Sequence, residues 1–196
     1  MSIHLILGGA RSGKSAYAEK LAIETGLPVT YIATAQVYDG EFKQRVQHHK
    51  DRRPIDWHLI EAPYFLSTAL QDFFAQITAK QSGQIGQTGQ SGQSGQNRQC
   101  IMIDCLTLWL AQCICPDCAP TDGVDWPQQR ALFLENLPTF DAEIIIVSNE
   151  VGMGIVPLGV INRQFQDEQG RLNQAVAAIA DKVSFIAAGF PIHLKG

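Results

Sequence analysis

IHLILGGARSGKSAYAEKLAIE, residues 3–24, decides the fold. It opens on a run that is apolar but for His4, continues as GGARSGKS at 8–15, and ends in residues that favour a helix. The middle stretch satisfies G-x-x-x-x-G-K-[ST] with Gly8, Gly13, Lys14 and Ser15, and it sits directly between the strand-like and the helix-like runs. That placement is what a phosphate cradle needs. Glycines let backbone N–H groups turn inward around phosphate oxygens, and a helix N-terminus adds positive potential. Lys14 reaches the terminal phosphates, and the Ser15 hydroxyl can ligate Mg2+.

Outward from this motif the chain alternates. Apolar runs at 3–7 (IHLIL), 29–33 (VTYIA), 100–104 (CIMID), 143–148 (EIIIVS) and 183–189 (VSFIAAG) read as strands covered on both faces, because none alternates cleanly with polar residues. Helical patterns fall near 14–25, 40–52, 64–79, 127–137 and 158–181. Strand and helix alternation predicts an α/β fold of the P-loop NTPase type, a mostly parallel sheet with helices on both faces. At 196 residues the chain fits one domain with a full core.

Residues 81–96, QSGQIGQTGQSGQSGQ, break the pattern. Gly and Gln recur with almost nothing to bury, so the segment is expected to be a flexible insertion in a surface loop before the strand at 100–104. Its length costs little, since loop-closure entropy grows only logarithmically.

A net charge of -4 argues against a broad nucleic-acid surface, so local cation clusters are expected to serve a small anionic ligand. The opening apolar run is far too short to span a bilayer, and no signal peptide precedes it. With an odd count of five cysteines, this predicts a reducing, cytoplasmic setting. Cys113, Cys115 and Cys118 in CICPDC have a spacing that suits metal, with His58 and Cys105 as further donors. No partner pair completes a four-ligand site, and ordinary reduced thiols are the simpler expectation.

A P-loop needs a second acid for its metal, normally at the end of a buried strand. Asp104 closes CIMID and is the first candidate; Glu150 follows EIIIVSN and is the second, or orients a substrate hydroxyl. VQHHKDRRP at 46–54 pairs two histidines with three cations and a proline. By itself this is a solvated helix end. On a helix His48 and His49 point about 100° apart, so only one can face a ligand, and the residues alone do not choose between them.

GGARSGKS, YIATAQ at 31–36, RVQHHKDRRP at 45–54, SNEVGMGIVP at 148–157 and RQFQDEQGRLNQ at 163–174, in that order, resemble the bifunctional adenosylcobinamide kinase/adenosylcobinamide-phosphate guanylyltransferase family of cobalamin biosynthesis. The Gly/Gln insertion and the cysteine cluster lie outside the resemblance. It implies two steps on one fold. A nucleoside triphosphate, ATP or GTP, phosphorylates the aminopropanol hydroxyl of adenosylcobinamide. GTP then loses pyrophosphate to give a GMP-histidine enzyme, which passes GMP to the phosphorylated corrinoid. The resemblance assigns the covalent histidine to His49. It assigns nucleotide contacts to Gly8, Gly9, Ala10, Arg11, Ser12, Gly13, Lys14 and Ser15, to Ala33, Thr34 and Ala35, to Lys50, Asp51, Arg52 and Arg53, to Glu61 and to Asp104. Two positions depart from the family pattern: Asp104 stands where Glu is frequent, and Arg52 where Gly is common. Homo-oligomers are also implied.

The chemistry is coherent on its own terms. Much of an unperturbed imidazole is neutral and nucleophilic at pH 7, and neighbouring cations disfavour its protonated form while countering triphosphate charge. A plain P-loop kinase of small metabolites and a nucleotide-driven switch protein are the rival readings; neither needs a nucleophile in a cationic run. SNEVGMGIVP is either a wall or lid of the ligand site or a tight strand-to-helix connection. Arg163 and Arg171 either reach phosphates or belong to the polar face of a long helix.

Overall fold

The computed structural model describes residues 1–36, 54–85, 98–115, 118, 120 and 123–196. The predicted helix at 40–52, His48, His49 and Lys50 to Arg53 therefore lie outside the described residues, as does most of the Gly/Gln insertion.

Seven strands form one sheet: β1 (Ser2–Gly8), β2 (Val29–Ala33), β3 (His58–Glu61), β4 (Gln99–Asp104), β5 (Ala142–Val147), β6 (Lys182–Ala187) and β7 (Phe190–Lys195). Their order is β3-β2-β4-β5-β1-β6-β7, with every pair parallel except β6 with β7. Five strands stand where the apolar runs predict them. β3 and β7 are additional. Both are edge strands, four and six residues long, without a fully buried residue, so neither carries the buried apolar run that marks an interior strand.

The helices are α1 (Lys14–Glu24), α2 (Leu66–Ile85), α3 (Leu106–Ile114), α4 (Trp126–Asn136) and α5 (Val160–Ile179). α3 was not expected. Its sequence LTLWLAQCI is apolar on nearly every side, so it lacks a helical stripe to read. α4 starts where Asp125 accepts a bond from the Gln128 N–H at 3.0 Å, with Pro127 in the first turn. α2 continues to Ile85, into the segment expected to be a flexible insertion.

Period-2 alternation splits the core in two. Ile101 and Ile103 of β4 and Ile144 and Ile146 of β5 join Leu66, Trp109, Phe133, Leu172 and Val176 on the face covered by α2, α3, α4 and α5. Cys100 and Met102 of β4, with Ile145 and Val147 of β5, join Ala18 and Ala22 on the face covered by α1. Helices thus cover both faces. Full burial of one such Ile or Leu contributes about 1.5–3 kcal/mol, and both faces of the central strands are filled in this way.

This division positions the site. β1 and β5 are neighbours, yet the helix after β1 lies on one face and the helix after β5 on the other. The chain therefore parts at the carboxyl ends of these two strands, and such crevices are where open α/β sheets bind ligands.

Candidate functional site

Gly8 ends β1 with φ 153°, and Gly13 stands before α1 with φ 100°. A Cβ at Gly8 would meet the Ile186 carbonyl oxygen at 2.5 Å, and one at Gly13 would meet Gly189 Cα at 3.1 Å. Only glycine fits this path. Arg11, also at positive φ, is exposed at the crest of the turn. The Ser12 N–H donates to the Gly9 carbonyl at 3.3 Å, and no side chain caps α1, which leaves its first N–H groups facing the loop.

Lys14 is only 6% exposed, and its ammonium donates to the Gly9 carbonyl at 2.5 Å. Burial lowers its pKa, while Cys105 and Asp104 act against that shift. The loop is thus closed on its own lysine. Ser15 is half-buried one residue further on. The Ser12 hydroxyl is buried with no hydrogen-bond partner among the described residues.

The parallel register brings other candidates to the same sheet edge. Ala33 pairs with Glu61 on one side and with Asp104 on the other, and Asp104 pairs with Val147. Asp104 accepts a hydrogen bond from the Tyr31 hydroxyl at 3.1 Å. Burial raises the Tyr31 pKa, followed by the Asp104 charge, so the phenol stays a donor. Glu61 is exposed at the end of its strand. The Thr34 hydroxyl donates to the Cys105 carbonyl at 2.7 Å and accepts from the Cys105 N–H at 2.8 Å, so it fastens the exit of β2 to the start of α3. The Ala33 carbonyl accepts from the Ala62 N–H at 2.8 Å. Ala35 follows on the exposed side of this junction, half-buried.

Glu150 lies closer to the cradle than its place in the chain suggests. Its N–H donates to the Gly8 carbonyl at 3.0 Å, two residues after the Ser148 N–H bonds Ile6 at 3.0 Å. Its carboxylate accepts from the Gly152 N–H at 2.6 Å. Beyond it the chain exposes Met153, Ile155, Val156 and Leu158; Ile155 and Leu158 are 98% and 97% exposed. An apolar strip therefore starts beside the phosphate loop.

Three features were not singled out by sequence. The turn between β6 and β7 buttresses the cradle, the Gly189 N–H donating to the Ser12 carbonyl at 2.8 Å. Its signal is the AAGF turn, where Ala188 and Gly189 both take positive φ. Second, Gln169 and Asn173, buried on α5, bond Ser148 and Asn149 at the end of β5. Polar residues on the core face of an amphipathic helix are the signal for it. Third, Tyr31 sits against Asp104.

Arg163 donates to the Pro157 carbonyl at 3.3 Å and also to Leu158, while Arg171 pairs with Glu168 at 2.5 Å. Burial works to raise the Glu168 carboxyl, but Trp126, Arg171 and Arg130 hold it below its ordinary value. These pairs surround a hollow lined by Trp126, Pro127, Arg130, Gln164 and Glu168, between α4 and α5, which is a structural ion-pair cluster rather than part of the cradle. Both arginines are thus engaged within the chain, Arg163 with backbone carbonyls and Arg171 with Glu168. In the cysteine cluster Cys115 and Cys118 are joined as a disulfide, and Cys113 is a free buried thiol pushed up to about 12 by burial. The expectation of reduced thiols fails for the first two. Among the described residues no group of three His, Cys, Asp or Glu side chains could hold a metal ion, and no helix is long and apolar enough to cross a membrane.

The parallel sheet, its crevice and the glycine cradle define a P-loop nucleotide-binding protein of the α/β class. The family model described as Cobinamide kinase / cobinamide phosphate guanyltransferase matches residues 4–81 and 78–194. The bifunctional adenosylcobalamin biosynthesis protein CobP of Pseudomonas aeruginosa is 43% identical over 193 residues, spanning 98% of this chain and 96% of that protein. Bifunctional adenosylcobalamin biosynthesis proteins CobU of Salmonella typhimurium and Escherichia coli are 34% and 31% identical over 200 residues, each spanning 97% of this chain and 98% of theirs. The chain belongs to the cobinamide kinase / cobinamide phosphate guanyltransferase family.

Proposed function

We propose that this protein phosphorylates the aminopropanol hydroxyl of adenosylcobinamide and then transfers GMP from GTP to the product, giving adenosylcobinamide-GDP. The observation that carries the reading is that one family match spans both ends of the chain, cradle and post-β5 loop alike, at the full length of relatives named for both activities.

In the first step the acceptor hydroxyl oxygen attacks the terminal phosphorus, its proton passes to solvent water, and the nucleoside diphosphate leaves. Lys14 exchanges its bond to the Gly9 carbonyl for the terminal phosphates, and the N–H groups from Gly9 to Gly13 hold the oxygens that gain charge. The Ser15 hydroxyl and the Asp104 carboxylate are hard oxygen donors, the kind that Mg2+ takes, and the bound ion would neutralise charge on the phosphates. Asp104, with one oxygen occupied by Tyr31, keeps the other for this role. The apolar strip from Met153 to Leu158 suits a large, partly apolar acceptor.

In the second step a ring nitrogen of His49 attacks the α-phosphorus of GTP and pyrophosphate leaves. A phosphate oxygen of the phosphorylated corrinoid then displaces the imidazole. Lys50, Arg52 and Arg53 offset the triphosphate charge, with Asp51, Glu61, Ala33, Thr34 and Ala35 contacting the nucleotide. The reaction runs on a single domain, in the cytoplasm, in a homo-oligomer without nucleic acid.

The deciding experiment uses GTP labelled at the α-phosphorus. Label that survives base and is released by acid, present in the native protein and absent in His49→Ala, supports the reading. No covalent label, or undiminished label in His49→Ala, would sink it. Phosphorylation of adenosylcobinamide should persist in His49→Ala and fall by about 1,000-fold in Lys14→Ala.

A further inference from the structure

α5 carries a row of amides on one face: Gln166, Gln169 and Asn173, at the spacing that stacks residues along a helix. Gln169 is fully buried and Asn173 4% exposed, positions where an amphipathic helix ordinarily places apolar side chains. All three amides turn to the chain that leaves β5. The Ser148 hydroxyl, itself fully buried, donates to Asn173 Oδ1 at 2.7 Å, and Gln169 Nε2 reaches Ser148 Oγ at 2.9 Å and Asn173 Oδ1 at 3.0 Å. Asn173 Nδ2 donates to the Asn149 carbonyl at 3.0 Å, and Gln166 Nε2 donates to the Val151 carbonyl at 3.1 Å. On the other side the Asn149 N–H donates to Thr107 Oγ1 at 2.7 Å.

Stability alone is a poor reason for this cluster. Gln169 Oε1 is buried without a partner among the described residues, a cost that an apolar side chain would avoid. Directional bonds do give what apolar packing lacks: they fix where each peptide points. The peptide held most firmly, Asn149, immediately precedes Glu150, whose N–H is bonded to Gly8 at the cradle. Phosphates are met by the cradle and the start of α1, whereas this loop leads away from them into the apolar strip.

We propose that Gln166, Gln169 and Asn173 are positioning residues for the acceptor side of the site. They hold the 148–152 peptides, and Glu150 with them, at a fixed distance from the phosphate loop, so that the acceptor hydroxyl meets the terminal phosphate in line. This rests on the kinase reading above. Misplacement of a reacting group by about 1 Å is enough to slow a reaction on the order of 100-fold, so the device acts through kcat.

The test pairs Asn173→Leu with the milder Gln166→Met in the full chain. Expected for Asn173→Leu is a fall in kcat for adenosylcobinamide phosphorylation of about 10- to 100-fold with the dissociation constant of a fluorescent ATP analogue within about twofold of the native value. Amide exchange at 148–152 should quicken at least about tenfold while that of β1 and α1 stays. Gln166→Met should show the same pattern at about threefold in kcat, and it decides alone if Asn173→Leu does not fold. An unchanged kcat, or nucleotide binding lost in step with kcat, or exchange quickened evenly across the sheet, overturns the proposal. A native protein that fails to phosphorylate adenosylcobinamide defeats the kinase reading instead, while the exchange measurement still tests the clamp.

Discussion

The phosphate loop and the loop after β5 lie side by side, yet they are built by opposite means. The first is made of backbone. Its shape follows from Gly8 and Gly13, its lysine bonds a carbonyl five residues back, and the start of α1 behind it has no side-chain cap. The second is held by side chains from a helix 15 to 25 residues further along the chain. A structure written in the backbone leaves a contiguous motif, whereas one written in distant amides leaves scattered polar residues with no mark of their common purpose.

The largest effect should come from emptying the cradle. Lys14→Ala is expected to slow phosphorylation of adenosylcobinamide by about 1,000-fold in a steady-state assay, since a buried cation aimed at developing charge is lost. Next is Gly8→Ala. Its Cβ would fall 2.5 Å from the Ile186 carbonyl oxygen and 2.8 Å from Ser12 Oγ, at a positive φ, so a urea titration should show a loss of about 3 kcal/mol. Gly9→Ala, with no atom within 4 Å of the new Cβ, should cost below about 1 kcal/mol in the same titration. The contrast tests whether strain at the strand end, and not glycine content, sets the loop.

A third measurement concerns the strand beneath the cradle. His4 of β1 faces Ser184 Oγ at 2.8 Å, and Ser184 in turn meets His193 Nδ1 at 3.1 Å. Burial, then Lys182 and His193, lower the His4 pKa to about 4 from 6.5. The unfolded chain therefore takes up a proton below about pH 6.5 that the folded chain refuses. Stability from this group is complete above that pH and is lost as pH falls toward 4. Urea titrations at pH 7 and pH 4.5 should differ by about 1–2 kcal/mol more in the native protein than in His4→Gln, after discounting for partial exposure. The smallest effect should be that of Arg171→Ala, which breaks a surface pair with Glu168: at most about 0.5 kcal/mol, with nucleotide affinity unchanged. A large loss of affinity there would return Arg171 to the phosphate site.

Much of this was legible in the residues. Five strands and the ends of α1 and α4 lie within a residue or two of where apolar runs and helix signals put them, because interior strands of a parallel sheet must be apolar on both faces. β3 and β7 escaped because an edge strand needs only one neighbour and little burial. α3 escaped because a helix enclosed on most sides has no polar stripe. The residues also give no sign of the contacts of Arg163, whose guanidinium bonds the Pro157 and Leu158 carbonyls only once the loop after β5 folds back on α5.

The sequence by itself determined the cradle, the parallel sheet that carries it and the family to which the chain belongs, since each is encoded by contiguous motifs or by short unalternating apolar runs. Only the tertiary structure decided that Glu150 is tied to Gly8, that the turn before β7 props Ser12, and that the Thr34 hydroxyl bonds the Cys105 backbone. The physical reason is range. Backbone preference and burial act locally and leave a pattern, but a hydrogen bond between a helix amide and a loop carbonyl exists only once the sheet has set its register and brought the two together.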